Sequence, residues 1–281
     1  MEEKVVYTPY TVVCSTEHEY TPYPYLIAKN GTIPVSCLSP IHCRSILITK
    51  NNSGKYVISK GNGLTYTEHV FLYTPDMPTD VLGLLLKEDA LRDFHCGQDI
   101  QALGIKTNQM ECVLELDTLV HIKETNTTLK PILLQYNVEC PYRIADAPFM
   151  TKQQIYNEIS KWATLTSKPY THYHQIAADI LIRNLSIMHS HHVLHNALTC
   201  ENITWALELL DFELARTPNH PYTKDDYERH VSDLYAREIF DAYRIINYIA
   251  GVLGEQVNYK GMDELFHSYG FNIHDYATEK N

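Results

Sequence analysis

His195-Asn-Ala-Leu-Thr-Cys-Glu-Asn202, followed by Leu209-Leu-Asp-Phe212, decides how this chain is read. Asp211 stands nine residues after Asn202. A short β-hairpin across that span brings the amide oxygen of Asn202 toward the carboxylate of Asp211. Both are hard oxygen donors suited to Mg²⁺ or Mn²⁺, ions that keep waters and phosphate oxygens as their other ligands.

Working outward, the hairpin lies between two helical patterns. Residues 173–191 carry Ile176, Ile180, Leu181, Ile187 and Met188 at helical spacings, and residues 226–250 carry Val231, Leu234, Ile239, Tyr243 and Ile246. Thr151-Lys-Gln-Gln154 reads as a capping box opening a further helix, with Ile155, Ile159 and Trp162 on one face. Before Cys140-Pro141 the period changes. Arg44-Ser-Ile-Leu-Ile-Thr49 and Lys55-Tyr-Val-Ile-Ser59 flank Asn51-Asn-Ser-Gly54, which predicts a hairpin, and Lys60-Gly-Asn-Gly63 follows directly. Asp89–Leu103 predicts one prominent helix with Leu91, Phe94, Ile100 and Leu103 on a face and Gly104 as its stop. Residues 110–116, 119–123 and 131–138 predict strands. Residues 1–40 hold Pro9, Pro22, Pro24, Pro34 and Pro40 and read as extended and irregular. The fold class is therefore α+β and two-lobed. An irregular extension over 1–40 precedes a β-rich N-lobe with one prominent helix over 41–139. A mostly helical C-lobe carrying the metal hairpin spans 140–281.

Composition excludes several alternatives. A chain of 281 residues, 44% hydrophobic and 20% charged, has enough apolar residues for a full core. A formal charge of −11 argues against a general nucleic-acid-binding surface. No apolar run is long enough to span a bilayer. Met1-Glu-Glu-Lys-Val places acids where a secretory signal carries basic residues, so the expected location is the cytoplasm. The seven cysteines show no CxxC pair and read as free thiols. The twenty-one tyrosines, many of them before residue 26, suggest a segment packed on the surface of the domain.

The spacing of Asn202 and Asp211 is also that of the metal end of a kinase-type phosphoryl-transfer site. Several segments in order resemble the selenoprotein O family, the kinase-fold protein AMPylators. Lys60-Gly-Asn-Gly-Leu-Thr65 resembles its Lys-Gly-x-Gly-x-Thr, and Leu91–Thr107 resembles its Arg-Glu helix with the Ala-Leu-Gly-Ile-Pro-Thr that follows. Arg44 is placed like the Arg opening the strand before the lysine strand. Arg143-Ile-Ala145 resembles the start of Arg-Val-Ala, and His195…Glu201-Asn202…Asp211 matches His-Gly…Asp-Asn…Asp. The resemblance covers about residues 44–215 of a chain shorter than the family's usual members. It implies a protein-kinase-like fold binding ATP with Mg²⁺ or Mn²⁺. It also implies transfer of AMP to a Ser, Thr or Tyr hydroxyl of a protein acceptor.

On that resemblance Arg44, Lys60, Asp93 and Arg143 form the nucleotide-binding set, with Asp93 holding Lys60. Asn202 and Asp211 are the metal ligands, and Glu201 is the catalytic carboxylate that acts on the acceptor hydroxyl. Each has a plainer reading: an exposed strand lysine, a solvated helix carboxylate, an Asx turn, a hairpin carboxylate facing water. Three departures weigh on activity. Asp93 is a methylene shorter than the family's Glu. The glycines before Arg44 are replaced by Ile41-His-Cys43. The second family arginine is replaced within Pro148-Phe-Met150. In the ordinary kinase frame the base falls at Ala197, which cannot accept a proton, and Glu213 replaces the Gly of Asp-Phe-Gly. A nucleotide-binding pseudokinase or scaffold is therefore the alternative, and a small-molecule or protein kinase a further one. His195 is expected to hold the loop through backbone carbonyls, and the His189–His195 cluster lacks the ligand spacing of a zinc site.

Overall fold

A computed structural model of the chain describes residues 4–28, 36–37, 45–63, 83–122, 126–221 and 231–272. It divides into two compact units, residues 1–98 with 108–142 and residues 99–107 with 143–281. The α+β class holds: the first unit is built on an antiparallel sheet and the second is mostly helical.

The first unit contains β1 (Lys4–Tyr7), β2 (Tyr10–Ser15), β3 (Tyr25–Ala28), β4 (Ser36–Cys37), β5 (Ser45–Lys50) and β6 (Tyr56–Lys60). After these come most of helix α1 (Lys87–Ala102), then β7 (Gln109–Leu116), β8 (Val120–Ile122), β9 (Thr127–Leu129) and β10 (Ile132–Val138). Six strands form the main sheet in the order β2-β7-β10-β6-β5-β4. The β5–β6 hairpin turns as its Asn predicts: the Asn51 carboxamide oxygen accepts from the Ser53 and Lys55 amides, and Gly54 adopts φ +80°. Central β10 is buried along its whole length, and its run Ile132-Leu-Leu134 accordingly lacks apolar/polar alternation.

The irregular reading of residues 1–40 is corrected for the described part. β2 adds to the main sheet along β7, and β1 pairs with β3. The prolines misled because they lie at strand ends, where no ladder N–H is needed: Pro9 between β1 and β2, Pro22 and Pro24 before β3. Tyr10, Tyr20 and Leu26 pack onto the buried cluster of Cys112, Leu114, Leu116 and Leu133, so the early tyrosines roof the sheet. Pro34, Pro40 and Ile41–Arg44 lie outside the described residues.

The second unit carries α2 (Lys152–Ile159), α3 (Tyr173–Ser190), α4 (Val231–Leu253) and α5 (Tyr259–Ser268). The Thr151 capping box forms in both directions: Thr151 Oγ1 accepts from the Gln154 amide, and the Gln154 side chain accepts from the Thr151 amide. Helix α3 packs along α4 around Ile180, Leu181, Ile245, Ile246 and Ile249, all buried. Trp162 stacks on Trp205 at 6.0 Å and donates its indole N–H to the Trp205 carbonyl at 2.8 Å. That bond fixes the hairpin carrying Asn202 and Asp211 against the turn that follows α2. Among the described residues no helix is long and apolar enough to cross a membrane.

Candidate functional site

In the first unit, Lys60 ends β6 between Ser45 of β5 and Leu134 of β10. Its ammonium donates to Asp93 Oδ2 of α1 at 2.9 Å, and the two side chains are 5% and 1% exposed. A methylene shorter than Glu, Asp93 still reaches directly, with no bridging water required by distance. Helix α1 turns Ala90, Asp93, Phe94 and Ile100 inward, leaving Leu91 and Leu103 half-buried. The backbone after Lys60 is as constrained as the pair. Gly61 has φ +97°, and a Cβ there would meet the Ile132 carbonyl oxygen and Leu85 Cβ, so no other residue fits without displacing β10. The Gly63 amide then donates to the Gly83 carbonyl at 3.1 Å, and the buried Asn62 carboxamide donates to the Tyr25 carbonyl at 2.7 Å. Arg44 is outside the described residues.

In the second unit, the Asn202–Asp211 span closes as a tight hairpin. Ile203 bridges antiparallel to Leu209, and the Leu210 amide donates to the Asn202 carbonyl at 2.9 Å. Thr204 organises the tip: its hydroxyl accepts from the Ala206 and Glu208 amides and donates to the Glu208 carboxylate at 2.9 Å. Leu207 and Asp211 both take left-handed backbone, φ +58° and +65°, a conformation that Asp tolerates and that a leucine adopts only when its surroundings impose it. The backbone therefore brings Asn202 opposite Leu210, the residue next to Asp211.

Side-chain commitments around Asn202 are specific. Its carboxamide nitrogen donates to the Ala197 carbonyl at 2.9 Å. Arg143, which is buried, does not extend a free guanidinium for a phosphate. Its NH1 donates to the Glu201 carbonyl at 2.7 Å and lies 3.5 Å from Asn202 Oδ1, while its amide donates to Asp146 at 2.7 Å. Its place here is that of a positioning residue for the turn Cys200–Asn202. The Glu201 side chain is exposed. Burial, with the Glu201 charge adding to it, pushes the Cys200 thiol up to about 12.

His195 is fully buried and its Nε2 bonds the Leu210 carbonyl at 2.9 Å, with the Phe212 ring 5.2 Å away. Burial lowers its pKa, outweighing the opposing pull of Glu238 and Asp211. A neutral ring with the proton on Nε2 satisfies that bond. Beside it, Asn196 in left-handed backbone donates its amide to the buried Glu238 carboxylate at 2.5 Å, and Glu238 also holds His189 at 2.9 Å. His189 and His195 thus brace the loop.

One group escaped the sequence reading. The carboxylate oxygens of Asp211 and Glu213 lie within 4.8 Å of one another. In the sequence Glu213 stands where kinases carry a glycine, and its carboxylate two residues after Asp211 is the signal that points to this pair. Asp211 and Glu213 are hard oxygen donors, which fit Mg²⁺ or Mn²⁺ and do not fit a thiophilic metal. Bound there, such an ion would neutralise phosphate charge.

No family model matches this chain, and no curated protein matches it. The resemblance to the selenoprotein O family therefore stands on its motifs. Among solved structures the chain is similar to the ROP18 kinase domain in complex with AMP-PNP and sucrose, at 10% identity and a TM-score of 0.37, over 99% of this chain and 87% of that one.

Proposed function

We propose that the chain is an ATP- and divalent-metal-dependent transferase of protein-kinase-like fold, and that it transfers AMP to a protein hydroxyl. The observation that carries the reading is the buried Lys60–Asp93 pair at the end of a central strand, beside a glycine that nothing else can replace. Burying two opposite charges between a central strand and a helix is a weak source of stability, so the pair speaks for a task. The hairpin, whose backbone sets Asn202 opposite Leu210 and next to Asp211, supports the metal part of the reading.

On this reading Lys60 neutralises phosphate oxygens while Asp93 holds its ammonium in place. Asn202 and Asp211, with Glu213, would hold the metal, and the fixed Asn202 amide needs no reorganisation when it does so. Arg143 would hold the 200–202 turn in place. Glu201, exposed and free to reach an acceptor, would take the hydroxyl proton as the oxygen attacks the α-phosphorus and pyrophosphate leaves. Arg44 would add a second cation for the phosphates.

Incubating the chain with Mg²⁺ and ATP labelled at the α- or the γ-phosphate, with and without added protein acceptors, tests this. Protein-bound label from the α-position is expected, lost in Asp211→Asn. Label from the γ-position alone would make the chain a kinase and sink the AMP transfer. The rival reading, a nucleotide-binding pseudokinase or scaffold, is favoured by the engagement of Arg143 with Glu201 and Asn202, which withdraws a cation from phosphate. It predicts metal-dependent ATP binding with no label transferred from either position.

A further inference from the structure

A cavity of about 420 Å³ opens on the first unit between residues 16–23, the β5–β6 hairpin and strands β7 and β10. Glu111 of β7 lies on its wall and is 8% exposed. Two side-chain amides fix its carboxylate. Gln135 Nε2 donates to Oε2 at 2.5 Å, and Asn137 Nδ2 donates to Oε1 at 2.6 Å. Gln135 is itself locked by the Thr21 carbonyl at 2.7 Å and the Tyr23 amide at 3.1 Å. Both donors are neutral, and among the described residues no cation lies within ion-pair distance of Glu111. Lys50, which also lines the cavity, places its ammonium 4.3 Å from the Tyr56 ring centre instead.

A buried carboxylate without a counter-charge is costly, because hydrogen bonds from amides orient the charge without neutralising it. The cavity adds further acceptor character. Asn137, 5% exposed, lines it with a carboxamide oxygen that has no partner, and Glu19 stands exposed on its wall. Tyr20 and Tyr23 line the same wall, and aromatic side chains attract organic cations. Hydrophobic ligands are disfavoured by this lining, and anions are disfavoured by Glu111 and Glu19.

We infer that this cavity is a binding site for a cationic nitrogen, an alkylammonium or guanidinium group, held by the fixed carboxylate of Glu111. The group could belong to a free polyamine or to a lysine or arginine side chain of a peptide; the site chemistry is the same. The cation donates to the lone pairs of Glu111 that the two amides leave open, and its alkyl stem lies against the tyrosines. This inference does not depend on the nucleotide reading.

Titrating the full chain with spermidine, and separately with a short peptide carrying one lysine or its ε-acetylated form, tests it. The side-chain amide NMR signals of Gln135 and Asn137 report locally, because both donate to Glu111. Saturable shifts with spermidine or the lysine peptide are expected, with none from the acetylated peptide; which of the two binds tells the source. Glu111→Gln should lower the affinity at least about ten-fold, and Glu19→Lys, an exposed change that leaves the fold intact, several-fold. No saturable shift with either probe overturns the proposal, as does unchanged affinity in a folded Glu111→Gln. Should Glu111→Gln fail to fold, unchanged affinity in Glu19→Lys overturns it.

Discussion

Breaking the Lys60–Asp93 pair from one side and from both sides gives opposite results if the pair is read correctly. At 2.9 Å and an effective dielectric constant of about 20, the attraction is about 6 kcal/mol. Desolvation takes back several kcal/mol per ion, so the pair as a whole contributes little to stability. Removing one partner is different, because the survivor stays buried without the group it faces at 2.9 Å. Asp93→Leu is therefore expected to destabilise the first unit by about 3–5 kcal/mol. The double variant Lys60→Met with Asp93→Leu should recover most of that loss, giving a coupling energy of at least about 2 kcal/mol. Because the chain forms two compact units, urea unfolding should be read at the first unit, through hydrogen exchange of the β6 and β10 amides. The double variant should regain stability and still fail to bind ATP, which separates the structural role of the pair from its proposed task. A cost below about 1 kcal/mol for Asp93→Leu, or a double variant no more stable than the worse single one, would refute the reasoning.

Four further tests address other parts of the molecule. Gly61→Ala should cost more than Gly54→Ala: both glycines have positive φ, worth about 1–2 kcal/mol of strain to alanine, but only at Gly61 would the methyl strike neighbouring atoms; equal midpoints in urea would contradict this. Burial pushes the Glu255 carboxyl up, but the amides of His174 and Tyr173 and the His174 ring outweigh it and hold it below its ordinary 4.5. Its stabilising effect is then complete above about pH 4.5 and lost as pH falls through the lowered value, so acid should loosen the start of α3 in the wild type and not in Glu255→Gln. His195, held below 6.5, favours the fold fully above that pH and progressively less beneath it, so its ring NMR signals should stay at their neutral positions from pH 7.5 to 6, where a titration midpoint near 6.5 would disprove the buried neutral ring. Arg143→Met should weaken Mg²⁺-dependent ATP binding about 10–100-fold if Arg143 positions Asn202, while tighter binding would mean that the guanidinium competes with the metal.

Legibility in the sequence followed the physics of each segment. The β5–β6 hairpin, the Thr151 box and the Gly104 stop were readable because local chemistry determines them: an Asx turn, a reciprocal cap, a left-handed residue at φ +78°. The N-terminal strands were not, because proline density was taken as a property of the segment when what mattered was where each proline sits relative to a ladder. Asp93 was legible as the partner of Lys60 through the family resemblance and not through the helix face, which lies displaced from Leu91 toward Ala90. A leucine-based face gives the period of a helix but not the identity of a buried charge within it. Arg143 was expected in the nucleotide-binding set on the family resemblance. Its direction was not, since nothing in Arg143-Ile-Ala145 says that a carbonyl 58 positions later will claim the guanidinium.

That direction is where the competing functions part. A cation committed to the Glu201 carbonyl does two things at once: it leaves one fewer positive charge for phosphate, and it makes the 200–202 turn rigid. Loss of phosphate charge favours a scaffold, and rigidity favours an enzyme, since a preorganised ligand oxygen is what a metal-dependent transfer requires. The two effects can be weighed against each other because the replacement Arg143→Lys preserves the charge and removes the fork. A lysine can reach the Glu201 carbonyl or the Asn202 oxygen but cannot span both. If preorganisation dominates, Arg143→Lys should lose transfer nearly as completely as Arg143→Met. If charge dominates, it should retain most of the ATP affinity that Arg143→Met loses. Equal, undiminished ATP binding and transfer in both variants would leave Arg143 outside the site altogether and remove the strongest structural argument for either reading of this loop.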